Sequence, residues 1–330
     1  MNTQLRNNAS LIYKFYADIF RDEISLNTLQ LLQAPRFLEN INQIHPENDI
    51  LADFITQLRK TPSENLLHEL RYEYADLFLN AGPNPVFPYE SVHTSGTTTV
   101  QQDSLFALRD TLRSLDVHVD PKFMDLDEHV SVELEVCACM IDRNMIDTYR
   151  EFSLSLQKWI PDFCEQLALS AQTPFYKGLA HLLKTFLQHC EQLSDQTGPA
   201  DAYIQKVADT LRNADFTPAP SLLHSGAVSA GPEQEIPTHC YTCGALCGMT
   251  AKVKDGVMVK VAGLKGDPKG QGRLCPKGAA APKHVNSAYR LKSPLIRENG
   301  RFRKAGWNEA LDLVASRMAE IPQGKLAYFR

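Results

Sequence analysis

Apolar residues recur at helical spacing through most of the first two hundred positions. Leu11, Ile12, Phe15, Tyr16, Ile19 and Phe20 share one face of a segment that Ser10 can cap. Leu51, Phe54, Ile55 and Leu58 repeat the spacing, and Ser63 can cap a helix carrying Leu66, Leu67, Leu70, Tyr74, Leu77 and Phe78. Leu105, Leu108, Leu112 and Leu115 follow, then a helix from about Glu128 to Tyr149. Phe175, Leu179, Leu182, Leu183, Phe186 and Leu187 form a strong stripe, and Tyr203, Ile204, Val207 and Leu211 close the series. Strand alternation is nearly absent over residues 10–213. The pattern therefore predicts an all-α bundle whose stripes are its core.

Two segments interrupt it. Residues 81–91, with prolines at 83, 85 and 88, cannot continue a helix. They predict a loop between helices that exposes or half-buries Phe87 and Tyr89. Residues 214–237, with Pro218, Pro220, Gly226, Gly231, Pro232 and Pro237 and no helical period, read as a linker. Beyond it the pattern changes. Residues 251–261 alternate on both sides of Asp255-Gly256, which predicts a β-hairpin. A helix from Trp307 is expected to bury Ala310, Leu311, Val314, Met318 and Ile321 and to end at Pro322, and residues 325–330 read as a strand. The domains expected are thus 1–213, a linker 214–237, and a small α+β domain 238–330. The class is mainly α.

Charge divides at the same place. The 330 residues carry a formal −5, but residues 236–330 hold 17 Lys and Arg against 6 Asp and Glu, a formal +11. The preceding 235 residues carry −16, and 11 of the 17 glycines lie in the last 95 positions. Two modules of different chemistry are implied, with an attraction between them that salt should weaken. No apolar run approaches the ~18 residues of a membrane span. Met1–Arg6 shows neither an apolar signal core nor a twin arginine, so a cytoplasmic location is expected. Neither a membrane span nor a nucleic-acid partner is expected.

The candidate chemistry lies in the basic part. Cys240, Cys243 and Cys247 precede a distant Cys275 in the pattern C-x2-C-x3-C-x27-C. Three thiolates on a short loop plus a fourth can surround an iron–sulfur cubane. Structural zinc is the competing reading, although zinc ribbons usually offer two close pairs. Disulfides fit poorly where thiols are kept reduced. Cys137, Cys139, Cys164 and Cys190 lie on helical stripes and read as small buried hydrophobes.

Two resemblances follow from particular residues. Tyr74-Ala75-Asp76-Leu77-Phe78, then Pro88-Tyr89-Glu90-Ser91, then Glu128-His129-Val130-Ser131-Val132-Glu133-Leu134, followed by Trp159-Ile160-Pro161 and Phe175-Tyr176, resemble in order and spacing the TorD/DmsD family of molybdoenzyme chaperones. The resemblance covers about residues 8–213, and departs from the family in having Asp127-Glu128-His129 where Pro-Asp-His is usual. It implies an all-helical chaperone that holds a molybdoenzyme polypeptide or its leader peptide, with Tyr89, Glu90, Ser91, Glu128 and His129 as the client site. From Cys240 onward, Gly272-Arg273-Leu274-Cys275-Pro276-Lys277-Gly278, Arg290-Leu291-Lys292-Ser293-Pro294-Leu295 and Trp307-Asn308-Glu309-Ala310-Leu311-Asp312 resemble the N-terminal segment of molybdopterin oxidoreductases such as formate dehydrogenases and nitrate reductases. This resemblance implies a [4Fe-4S] cluster on Cys240, Cys243, Cys247 and Cys275, with Lys277 on the electron path towards the pterin. That family's molybdenum and pterin centre needs several hundred further residues. Molybdopterin guanine dinucleotide is therefore expected only if the chain continues past Arg330, and no catalytic residue is expected within these 330. The reading that follows is a chaperone module fused to the start of its own client. The alternatives are an oxidoreductase whose helical part docks a redox partner protein, and a zinc-stabilised adaptor.

Overall fold

The computed structural model describes residues 3–191, 198–226, 231–322 and 324–325. Helices account for 55% of the described residues, and the described strands form three small antiparallel sheets, in keeping with a helical bundle followed by a small α+β part. The chain opens with helices α1 (Thr3–Arg21), α2 (Leu26–Leu32), α3 (Pro35–Ile44), α4 (Asp49–Lys60) and α5 (Ser63–Phe78). Next come α6 (Glu90–Ser95), α7 (Asp103–Ser114), strand β1 (Val117–Val119), α8 (Val130–Asp142) and α9 (Ile146–Leu156). Helices α10 (Ile160–Ser170), α11 (Pro174–Glu191) and α12 (Pro199–Asn213) complete the helical part. Then follow β2 (Leu223–Ser225), β3 (Gln234–His239), β4 (Gly248–Lys254) and β5 (Val257–Gly263). Short helices α13 (Pro276–Ala279) and α14 (Ala281–Val285), strands β6 (Leu295–Glu298) and β7 (Arg301–Lys304), and α15 (Trp307–Ala319) come last.

These elements gather into two compact units, each drawn from separated stretches of chain. One takes residues 1–88, 160–219 and 291–330; the other takes 89–159 and 220–290. In the first, α11 packs against α4 and α10, and α12 against α1 and α3. The α4–α11 approach is close. A Cβ at Gly178 would meet the fully buried Phe54 ring at 2.5 Å, so only glycine fits there. Tyr13 meets Phe186 edge to face with ring centroids 4.9 Å apart. Each such buried side chain contributes roughly 1.5–3 kcal/mol of apolar burial. Local signals start the helices. Asn48 caps α4 by accepting from Leu51 N–H at 3.1 Å, and Arg59 and Lys60 sit in its last turn where the helix dipole favours cations.

In the second unit, α8 packs on α9 and α6 on α7. Its three-stranded sheet has the order β3-β4-β5. The expected hairpin is present. Lys254 pairs with Val257 across a two-residue turn, Asp255-Gly256, with φ of 49° and 79°. Positive φ at both positions matches the Asp-Gly preference of this turn.

Several local expectations need correction. Ser10 caps nothing: α1 starts at Thr3, leaving Ser10 buried inside the helix with its hydroxyl unpartnered. Ser63 is the first residue of α5, and its hydroxyl donates to Gln33 Oε1 at 2.6 Å. The helix expected over 128–149 is two helices, α8 and α9, because Asn144 takes a left-handed φ of 62° between them. Phe87 and Tyr89 are both buried. The segment read as a linker contains β2, paired with β1, and β3, paired with β4. Pro237 is tolerated because β3 is an edge strand. Helix α15 forms where expected but buries nothing: Leu311, Val314 and Met318 are 58%, 54% and 47% exposed. The strand expected over 325–330 lies, beyond Lys325, outside the described residues. Among the described residues no helix is long and apolar enough to cross a membrane.

Candidate functional site

The four cysteines lie on loops at one end of the β3-β4-β5 sheet. Cys240 follows β3, Cys247 precedes β4, and Cys240 N–H donates to Cys247 O at 2.9 Å, closing the loop that carries Cys243. Strand pairing continues that closure, since His239 is opposite Gly248. After β5 the chain turns back. A Cβ at Gly263 would overlap the Gly272–Arg273 backbone, and one at Gly270 would lie 3.7 Å from Cys247 Cβ. The Cys275-Pro276-Lys277-Gly278 turn ends against Cys240. Gly278 is buried, and a Cβ there would be 3.5 Å from Cys240 Sγ.

Cys240 is buried, Cys247 is half-buried, and Cys243 and Cys275 are exposed. The thiol of Cys275 is held below the usual cysteine range, first by backbone N–H groups of Gly278 and Lys277 aimed at its sulfur. Lys277 itself is exposed. The donor set, four thiols on glycine-rich loops with backbone N–H groups directed at sulfur, fits an iron–sulfur cluster chemically. The backbones converge; the side chains do not form one coordination sphere. Among the described residues no three His, Cys, Asp or Glu stand close enough together to hold a metal ion.

The second candidate site centres on Glu128, which is fully buried. Its carboxylate accepts from Ser91 N–H at 3.1 Å, from Ser91 Oγ, from Gln101 N–H and from Ser104 Oγ at 3.4 Å. One side chain thus fastens the start of α6 and the loop before α7. Tyr89 forms a β-bridge with His129, and its hydroxyl donates to Asp125 at 2.9 Å. His129 caps α8, its Nδ1 accepting from Ser131 N–H at 3.2 Å. An accepting Nδ1 leaves the ring proton on Nε2. Four of the five residues expected to meet a client (Tyr89, Ser91, Glu128 and His129) are therefore buried and engaged in holding these loops. Glu90 is half-buried.

Burial, with the nearby Glu128 carboxylate adding to it and Lys158 opposing, pushes Glu90 up to about 7. Burial raises Glu128 as well, against the pull of its hydrogen bonds. Glu133 is raised well above the carboxylate range, by burial first and then by Glu90. It accepts from the indole N–H of fully buried Trp159 at 3.2 Å, and its other oxygen has no partner. Sequence reasoning did not single out Glu133 or Trp159 as site residues. The available signal was a carboxylate inside the apolar run of α8. Glu73 and Glu135 are further internal carboxylates that pin loops. Glu73 accepts from Gln172 and Thr173 N–H at 2.6 and 2.9 Å, and Glu135 from Leu222 N–H at 2.8 Å.

Comparison with known proteins places these parts. Residues 45–165 match the nitrate reductase delta subunit family, residues 233–287 the molybdopterin oxidoreductase Fe4S4 domain, and residues 290–328 the molybdopterin oxidoreductase family. Among curated proteins, the F420-dependent formate dehydrogenase 2 subunit alpha of Methanococcus maripaludis is 39% identical over 94 residues, 28% of this chain and 14% of that protein. The nitrate reductase of Symbiobacterium thermophilum is 43% identical over 84 residues, 25% of this chain and 11% of that protein. The periplasmic nitrate reductase of Desulfovibrio desulfuricans is 40% identical over 90 residues, 26% and 12%. The chain thus spans about one seventh or less of the length of these relatives.

Proposed function

From a chain in which a TorD-like domain of the nitrate reductase delta subunit family precedes a molybdopterin oxidoreductase Fe4S4 domain and the start of the molybdopterin domain, we propose a maturation function. The helical part is a chaperone for a molybdoenzyme, and it acts on the polypeptide to which it is joined. Cys240, Cys243, Cys247 and Cys275 would hold a [4Fe-4S] cluster, and Lys277 would be the residue on the electron path from it towards a pterin. The cluster supplies one-electron transfer when bound. The chain's own part is to fix four thiols and to present backbone N–H groups to sulfur. The observation that carries this reading is the order of domains on one chain. Joining chaperone and client on one chain makes their encounter intramolecular and raises their effective concentration without any new contact.

Titration of the chain with the polypeptide of an oxidoreductase of the same family, prepared with and without its molybdenum cofactor, tests the proposal. Binding is expected to the cofactor-free polypeptide and to be lost once the cofactor is loaded. Equal affinity for both forms, or for neither, would end the chaperone reading. A second reading draws on the exposure of Cys243 and Cys275, which leaves that edge of the site open to another protein. In it the helical part docks a redox partner. Removing residues 1–215 would then abolish electron transfer while the cofactor stays bound, whereas loss of cofactor insertion supports the chaperone.

A further inference from the structure

Within the unit formed by residues 89–159 and 220–290, helix α7 meets the turn of the β4-β5 hairpin. Arg113 pairs with the Asp255 carboxylate at 2.8 Å, and the Asp255 side chain is only 8% exposed. Arg109 donates to the Asp255 backbone carbonyl at 2.7 Å and is itself held by Asp127 at 2.8 Å. Lys254 lies over the Phe106 ring, 4.1 Å from its centroid. Phe106, Arg109 and Arg113 are spaced at i, i+3 and i+7, so they form one stripe along α7. A second line of contact supports the first. Val100 N–H donates to Asn286 O at 2.8 Å, Ala288 N–H to Thr98 O at 3.0 Å, and Asn286 Nδ2 to Met258 O at 3.0 Å.

We propose that this α7 stripe is the surface by which the helical part recognises the iron–sulfur domain, and that what it recognises is the rigid acidic Asp-Gly tip of that domain's hairpin. The inference deepens the chaperone reading and rests on it for purpose. The polarity of the contact is the reverse of the net charges. The acidic part supplies the arginines, and the basic part supplies the aspartate. General attraction between oppositely charged modules does not produce such a contact; a built site does. Asp255 suits recognition because its backbone is already fixed in the left-handed region by the turn, so little freedom is lost when its carboxylate is captured. The bidentate-capable guanidinium of Arg113 meets it in a nearly closed environment.

The place of the grip also has a consequence. Strand β4 runs seven residues from Gly248 to Lys254. At roughly 3.3 Å per residue the tip stands about 20 Å from Cys247. The domain is gripped at its hairpin tip and again along Asn286–Ala288, while Cys243 and Cys275 at the other end of the hairpin stay exposed.

A double-mutant cycle on the full chain tests this, with Arg113→Met, Asp255→Asn and the pair, read by amide hydrogen exchange. Asn keeps the left-handed turn, so the single change removes charge without breaking the hairpin. Each single variant is expected to speed exchange at residues 105–113 and 252–258 by about 10-fold, and the double variant no further than either single. Amides of α11 serve as the folding control and should keep their rates. Unchanged exchange in the singles, or effects that multiply in the double, would overturn the proposal. The exchange readout does not depend on chaperone activity. Failure of the chaperone reading would appear instead in the cofactor titration, with the coupling of Arg113 and Asp255 intact.

Discussion

The helical part and the cysteine-bearing part solve the problem of order by different means. Helix α11 alone buries ten of its residues. Across the whole stretch from Gly231 to Lys325, only seven apolar side chains are buried among the described residues: Cys240, Met249, Ala251, Val257, Ala288, Ile296 and Ala305. So few cannot supply the burial that holds a domain together. That stretch relies instead on strand pairing, on turns fixed by glycine, on contacts with the helices of the unit each piece belongs to, and on whatever binds its thiols. The helices, by contrast, have core to spare and place charges inside it. Glu73, Glu128, Glu133 and Glu135 are all buried. One part is ordered by its core and the other by its loops, and each should therefore fail in its own way.

Removing a cysteine should break this contrast most sharply. Cys240→Ser is expected to reduce bound iron from about four atoms per chain to less than one. Because metal binding and folding are coupled in a domain with so small a core, amide exchange over β3 to β5 should accelerate by orders of magnitude. Helices α1, α4 and α11 should keep their protection. Iron and acid-labile sulfide assays made anaerobically, with exchange in parallel, check both statements. Stoichiometric zinc without iron would remove the cluster assignment and leave the adaptor reading.

Among the buried carboxylates, Glu128 should carry the largest share. Glu128→Ala strands the buried Ser91 N–H and the part-buried Gln101 N–H, at about 1–3 kcal/mol for each unsatisfied group, while the Ser91 hydroxyl keeps Ser104 as a partner. With partial relaxation the net loss should be about 2–4 kcal/mol in urea unfolding. Glu133→Gln is the control. Its carboxyl favours the neutral form and meets one donor, so the amide should change stability by less than about 1 kcal/mol at pH 7. Equal losses from the two variants would contradict the hub role of Glu128.

Much of this architecture was legible in the sequence, and the unread portion has a physical pattern. The stripes of α4, α7, α11 and α12 were readable because one face of each is buried, which is what periodicity measures. Helix α15 shows the limit of that measure, since its stripe is intact but solvent-facing. Helices α2, α3 and α6 went unread because seven, ten and six residues are too few to establish a period. Strand β3 was hidden by Pro237, whose edge position depends on a partner formed later in the chain. The cysteine spacing pointed to metal chemistry without any structural help. The roles of Glu128 and Glu133 were not readable as such, because a carboxylate that pins a loop has the same local sequence as one that faces solvent.

The internal carboxylates also predict a pH dependence that a purely apolar core would lack. Glu90 is raised from the ordinary 4.5 to about 7, so the folded state favours its neutral form. Stability from that neutral carboxyl is fully present below pH 4.5 and is lost as pH rises through 7. The Glu128 carboxylate presses Glu90 in the same direction and Lys158 opposes it, and Glu128 and Glu133 are themselves raised by burial. Allowing for partial solvent access, the loss between pH 4.5 and 8 should be about 1–2 kcal/mol. Glu90→Gln should flatten this slope and leave the variant more stable than the parent at pH 8. Denaturant melts at four or five pH values would show it, and a parallel slope in the variant would assign the dependence elsewhere.

The smallest expected effect concerns the break between α8 and α9. Asn144 takes φ of 62°, and its N–H bonds Ile141 O at 3.0 Å while Met145 N–H bonds Met140 O at 2.9 Å. This is how a helix ends on a left-handed residue. Asn reaches that region at modest cost, glycine reaches it freely, and alanine pays for its Cβ. Asn144→Ala should destabilise by about 1 kcal/mol, whereas Asn144→Gly should stay within about 0.5 kcal/mol of the parent. If the break instead reflected only a weak junction in one long helix, alanine would stabilise it by extending α8, since alanine is the best helix former. The sign of the alanine variant in thermal unfolding thus separates a built stop from a kink.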